Sequence, residues 1–385
     1  MAGTLGIPEA PATHVKPLTC ANPRNRPERN PHPNPGASLR ASLSAGTDKN
    51  GRASQTVDNS VGCEQLGVFR GVSEVVLDST RSLVPLRHTR RVNIPSQLTP
   101  HGANRVDLQG RHGRLAALRR RAVDATEPRP TALLLPGYTG SKEDFAPMLD
   151  PIAAAGFEAI AVDLPGQNES GGPDDEAAYQ PAALGGVIAE LIGKLAAEGG
   201  PVVLLGHSFG GLVARAAVLA GAPVAGLTLM DTGPSELPDG LRRQVLDIGE
   251  PAMREHGIAA AYELREQLDA MAPPQPSRTP ELTAFFRERF LRSHPAALLG
   301  KARALRTEPD LVSSLARVLH TSGTPCLVCC GEFDDAWPVS TQRDMADRLD
   351  ADFAVIPAAR HSPNTENPED LLATLIPTWR YWLTT

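Results

Sequence analysis

The 385-residue sequence predicts an α/β fold: an open, mostly parallel central sheet flanked by helices, with one helical segment inserted as a cap. Three observations carry this. From about residue 105, short apolar runs of strand length alternate with amphipathic stretches of helix length. The alternation breaks once, between about 234 and 320, where only helical patterns occur, and then resumes. Finally, the apolar run Pro201-Val-Val-Leu-Leu205 leads straight into the turn Gly206-His207-Ser208-Phe209-Gly210 and a helical stretch from Gly211 to Leu219. Such a strand–turn–helix step is the unit from which parallel sheets are built.

The elements follow in order. Residues 1–65 are rich in Pro, Asn, Arg, Ser and Gly, and 22–36 contain too many prolines for a helix or central strand. This segment cannot bury enough apolar surface to offset the entropy of ordering, so a disordered tail is expected. Residues 66–104 form an extension of uncertain structure, with one apolar-periodic stretch, 68–84, of helical character. The main domain, 105–385, opens with an antiparallel pair, 106–108 and 114–123. Strands are then expected at 131–135, 157–162, 201–205, 224–230, 325–330 and 353–356. Sheet-flanking helices are expected at 142–155 (Ser141 as N-cap, Gly156 as stop), 179–197, 339–349 and 368–383. The inserted region reads as helices at 241–248, 258–271, 280–291 and 309–319, with a proline-rich turn at 273–276.

Gly206-x-Ser208-x-Gly210 in this setting has the form of a nucleophile elbow. The sharp turn lifts the serine oxygen above the sheet, and Gly206 and Gly210 keep Cβ atoms out of the crossing of strand and helix. The N-terminal amides of the following helix favour negative charge at the serine. A nucleophilic serine needs a base, and the base an orienting carboxylate. Two later strand ends offer them: Asp334 and Asp335 in Gly331-Glu-Phe-Asp-Asp335, and His361 in Pro357-Ala-Ala-Arg-His361.

Over about 105–385 the chain resembles the capped, general branch of the α/β-hydrolase family. The order Ser208, Asp334, His361 is that family's order. Gly331-Glu-Phe-Asp334 with Pro338 beyond resembles its acid loop, which points to Asp334, with Asp335 as the alternative acid. His361 with Glu366-Asn-Pro368 resembles its histidine loop, although Arg360 replaces the usual preceding glycine. Pro136-Gly137-Tyr138 stands where the family has His-Gly followed by the oxyanion-hole residue, so the resemblance implies oxyanion donors at the amides of Tyr138 and Phe209. Asp163-Leu-Pro-Gly166-Gln-Asn168-Glu-Ser170 resembles the family's D-x-x-G-x-G-x-S turn, read here as structural. The resemblance implies that His207 points away from the site, as packing or pocket rim. It also implies acyl transfer from a carboxylic ester or thioester to water, without metal or organic cofactor. C–C bond, lactone or amide hydrolysis and cofactor-free perhydrolysis use the same triad, and a non-catalytic binding member of the fold is the reading from another class.

Composition narrows the remaining choices. A net charge of −6 gives no reason to expect nucleic acid, and Arg119-Arg120-Arg121 reads as a solvated strand edge. The chain contains five cysteines, an odd number that argues against a closed disulfide framework. Cys326, Cys329 and Cys330 lie in an apolar strand pattern, where free cysteine packs as a small hydrophobe rather than ligating a metal. No 18-residue apolar run suggests a membrane span, and the first residues do not read as a signal peptide, so a cytoplasmic protein is the expectation. The apolar stripe Phe285, Phe286, Phe290 and Leu291 is expected to rest the cap on the main domain, or to line a pocket for an apolar acyl substrate. His256, His294 and His320 are expected to serve surface or packing.

Overall fold

The structure is a computed structural model that describes residues 95–123, 129–271 and 278–384. The expected tail 1–65, the helical stretch 68–84 and the turn 273–276 lie outside the described residues. Eight strands form one sheet: β1 (Asn104–Gly110), β2 (Gly113–Arg120), β3 (Thr131–Leu135), β4 (Glu158–Val162), β5 (Val202–His207), β6 (Val224–Met230), β7 (Cys326–Gly331) and β8 (Asp352–Ile356). Their order is β1-β2-β4-β3-β5-β6-β7-β8. The pairs β1–β2 and β2–β4 are antiparallel and all later pairs are parallel. Strands β3 and β5 are buried along their whole length, as continuous Leu/Val runs covered on both faces must be.

Two apolar layers cover the sheet. One is formed with α2 (Pro181–Gly199), α3 (Phe209–Leu219) and α8 (Val339–Leu349), the other with α1 (Ala146–Ala154) and the helix Pro368–Trp382. Cys326 belongs to the first core and Cys329 to the second, so the C-x-x-C thiols stand on opposite sides of the sheet. Burial pushes the Cys326 and Cys330 thiols up to about 12.

Four helices lie between β6 and β7: α4 (Leu241–Met271), α5 (Pro280–Arg292), α6 (Pro295–Thr307) and α7 (Val312–Ser322). Gly257, at φ 82°, breaks α4 where the sequence separates two helices. Helix α6 has no counterpart among the expected elements. It is Ala-rich and buried on most sides, so it shows no single apolar stripe. Helix α7 packs on α3 and α8, as a sheet-flanking helix does, and closes at Gly323 in the left-handed region.

Two smaller readings are corrected. The helix expected from Lys142 starts as a 3-10 turn, Lys142–Phe145, and becomes α-helical only at Ala146. The helix expected from 179 starts at Pro181, after a 3-10 turn at Glu176–Tyr179. The arginine run stands where expected, at the partly solvated end of β2, and Arg119 makes a two-pronged bond to Glu158 of β4 at 2.9 and 2.8 Å.

Candidate active site

The site is assembled at the carboxyl ends of the parallel strands, the end at which open α/β sheets bind ligands. Ser208 follows β5 and precedes α3, with φ 54° and ψ −121°. A non-glycine residue in this region is strained, and the surrounding structure holds it there. Its N–H donates to the Met230 carbonyl of β6 at 2.9 Å. A Cβ on Gly206 would strike the Gly210 backbone, and one on Gly210 would lie 2.5 Å from the Leu135 carbonyl oxygen. Both glycines are therefore required by close backbone approach.

His361 follows β8. Its Nε2 accepts from the Ser208 hydroxyl at 3.0 Å, and its Nδ1–H donates to Asp334 Oδ1 at 2.8 Å. Asp334 follows β7 and is fully engaged: Oδ1 also accepts the Ala336 N–H at 2.8 Å, and Oδ2 accepts Gln342 Nε2 at 2.7 Å. Burial works against the Asp334 charge, but the bonds from His361, Ala336 and Gln342 outweigh it and hold the carboxyl below its usual range. The neighbouring Asp335 turns outward to pair with Arg242 at 2.7 Å, both side chains being well exposed. Of the two carboxylates read from the sequence, the structure brings Asp334 to His361 and sends Asp335 to the surface.

The loop after β3 lies against the serine: a Cβ on Gly137 would sit 3.2 Å from Ser208 Cβ. Its two carbonyls are held from behind, because Gln167 Nε2 donates to Gly137 O at 2.7 Å and to Tyr138 O at 3.2 Å. Gln167 Oε1 in turn accepts the Leu164 N–H at 2.9 Å. Gln167 belongs to the turn expected to be purely structural, and nothing in the sequence marked it as a support of the loop. In the same turn Asp163 is buried and accepts from the Lys142 N–H at 2.7 Å and Lys142 Nζ at 3.1 Å. Asn168, which stands at the second glycine of that turn, has φ 40°, a region asparagine tolerates.

His207 takes the packing role expected of it, beside the histidine loop rather than pointing away from the site. It is buried against the histidine loop, its Nε2–H donates to the His361 carbonyl at 2.6 Å, and the two rings are 5.1 Å apart. Burial, reinforced by His361, lowers its pKa to about 4, so the ring stays neutral. Asp231, which the sequence reading passed over, follows β6 at φ 47°, is wholly buried, and accepts the Gly331 N–H at 2.9 Å. The signal that could have found it is positional: it is a carboxylate at the carboxyl end of a central parallel strand. Among the described residues, Asp231, Asp334 and His361 are the one group whose potential metal-donor atoms converge, all within 4.8 Å. The Asp334–His361 hydrogen bond already engages that set.

Met253, Ala261, Tyr262, Phe290, Leu298 and Leu299 form an apolar cluster of the insertion, and Leu291 and Tyr138, the latter from the loop after β3, pack against it. The expected aromatic stripe is thus divided. Phe290 joins this cluster, while Phe285 and Phe286 lie under the Arg289 guanidinium at 5.4 and 4.6 Å. Arg289 also pairs with Asp144 at 2.6 Å, tying α5 to the turn before α1. Of the three histidines assigned to surface or packing, His256 and His320 are exposed, and His294 Nδ1 caps α6 by accepting the Ala296 N–H at 3.2 Å. A cleft between α4 and α5 is lined by Tyr262, Glu266, Thr283 and Arg287, and none of Ser208, Asp334 or His361 borders it.

Comparison with known proteins agrees with this architecture. The model of the alpha/beta hydrolase family matches residues 132–374. Among solved structures, a thermophilic esterase from Thermogutta terrifontis is similar at 26% identity and TM-score 0.56, over 73% of this chain and 99% of that one. A carboxylesterase study of Nitrososphaera gargenis gives a structure at 17% identity and TM-score 0.56, over 72% and 99%. The N-acyl homoserine lactonase AidH is similar at 18% identity and TM-score 0.56, over 73% and 99%. No curated protein matches the sequence. Among the described residues no helix is long and apolar enough to cross a membrane.

Proposed function

The chain belongs to the alpha/beta hydrolase family, and we propose that it is a serine hydrolase cleaving a carboxylic ester or thioester of a small molecule. The observation that carries this is the unbroken line of hydrogen bonds from Ser208 through His361 to Asp334, with the Ser208 oxygen at the head of α3. Likeness to an esterase at 26% identity supports the ester class.

In the proposed reaction, His361 Nε2 takes the Ser208 proton as Oγ attacks the carbonyl carbon. The carbonyl oxygen becomes an oxyanion facing the amides of Phe209 and Tyr138. The leaving alcohol or thiol departs with the proton from His361, giving the acyl-enzyme. Water then repeats the attack and regenerates Ser208. Asp334 holds the imidazole with Nδ1 protonated and stabilises the imidazolium as it forms. The apolar cluster packed on Tyr138 favours an acyl chain of apolar character.

Labelling with a fluorophosphonate probe tests the reading. The native protein is expected to be labelled and Ser208→Ala not. An unlabelled native protein, or equal labelling of the variant, would overturn it. A panel of esters, thioesters and amides of graded acyl length then identifies the bond and chain.

A further inference from the structure

Asp231 is not used by the mechanism above, yet it lies beside it. One oxygen accepts the Gly331 N–H, while Oδ2 is buried with no hydrogen-bond partner among the described residues. A carboxylate oxygen in that position carries a full desolvation cost, and a proton on it removes the cost. In the converging group, whose donor atoms all lie within 4.8 Å of one another, the neighbour that can accept that proton is Asp334, because His361 bears its own proton at Nδ1 and accepts Ser208 at Nε2. We propose that Asp231 is a positioning residue for His361: a carboxylic acid that shares its proton with Asp334, keeps the pair at a single negative charge, and can serve the imidazole itself when Asp334 is removed. This rests on the serine-hydrolase reading of the site.

The surroundings fit a protonated acid. Burial first, then the Asp334 charge, push the Asp231 carboxyl well above the usual carboxylate range. The other titratable groups facing it are Glu366 and the thiols of Cys329 and Cys330 on β7, none of which supplies a positive charge. The histidine that bonds Asp334 is the nearest group able to become a cation during turnover. A pair of carboxyls bearing one shared proton presents it with one negative charge rather than two.

The experiment is the rate of fluorophosphonate labelling, measured across pH, for native protein, Asp334→Ala, Asp231→Asn and the double variant, with a thermal melt of each. Asp334→Ala is expected to label about tenfold faster than the double variant, and Asp231→Asn to cost more in the Asp334→Ala background than in the native one. The acid limb of the Asp334→Ala profile should lie at higher pH than the native limb, because Asp231 must lose its proton before it can hold the imidazolium. Equal rates for Asp334→Ala and a folded double variant, or coincident acid limbs, would overturn the proposal. If the double variant does not fold, the pH profile of Asp334→Ala decides alone. A native protein that is not labelled at all sinks the serine-hydrolase reading instead, so the two failures are distinct.

Discussion

Gln167 shows how much of this site depends on a side chain that never faces the substrate. Its amide group holds the carbonyls of Gly137 and Tyr138, and the Gly137 carbonyl shares its peptide plane with the Tyr138 amide that is proposed to meet the oxyanion. Removing an oxyanion donor outright typically costs ~10²–10³ in rate, so loosening one is expected to cost about tenfold. Gln167→Met, which keeps the length and removes the hydrogen bonds, should therefore lower kcat by about tenfold with a much smaller change in KM. Steady-state kinetics on the best ester of the panel check this. A variant whose loss falls entirely in KM would show that Gln167 shapes the pocket rather than the oxyanion loop. Legibility at this scale followed residue type. Ser208 and His361 could be read because their chemistry admits few substitutes at strand ends. Asp334 is favoured over Asp335 only by its spacing from Gly331 in the family resemblance, because adjacent carboxylates are otherwise distinguished only by which way the loop turns them. His207 could be read as packing but not placed beside the histidine loop, because its partner is a backbone carbonyl 154 residues away.

Among elements, the strands were the most legible. Buried parallel strands are continuous apolar runs, and their bounds moved by only a residue or two in the structure. The insertion was less so, because helices buried on several sides lose the stripe that identifies them. Helix α6 was passed over for that reason, whereas the break at Gly257 was visible as a glycine between two periodic stretches. What fixes the insertion on the sheet could not be read at all, since it depends on pairs distant in sequence. Arg289 of α5 and Asp144 are one such pair, about a tenth exposed each, with the Asp144 carboxylate also receiving the Ser141 N–H. Breaking a buried pair by removing one partner leaves an uncompensated charge, which is costlier than losing a surface pair. A double-mutant cycle of Arg289→Met and Asp144→Ala, followed by urea unfolding, should give a coupling of about 2 kcal/mol. Strictly additive effects would show that α5 is held by its aromatic contacts and not by this pair.

For the molecule as a whole, the seam between the insertion and the sheet domain contains an ionisable group in an apolar setting. Lys301 of α6 is fully buried, its Nζ lies 3.3 Å from the Pro165 carbonyl, and it stands 5.9 and 6.0 Å from the rings of Tyr179 and Phe209. Burial lowers its pKa to about 7, with the Asp163 charge opposing the shift only in part. The sign of the pH dependence follows. Between about 7 and 10.5 the unfolded chain binds a proton at this lysine that the native state has lost, so its contribution to stability rises with pH across that window. Below about 7 both states are protonated, and the folded protein bears the full cost of a charge in the seam. Lys301→Met should therefore raise Tm below neutral pH by at least about 2 °C. The gain should shrink as pH rises through the ordinary lysine value, above which the side chain is neutral in both states. Melting curves of the two proteins across that range provide the check. A difference in Tm that does not change with pH would mean that the lysine acts through its packed alkyl stem, and that its charge is satisfied in the seam.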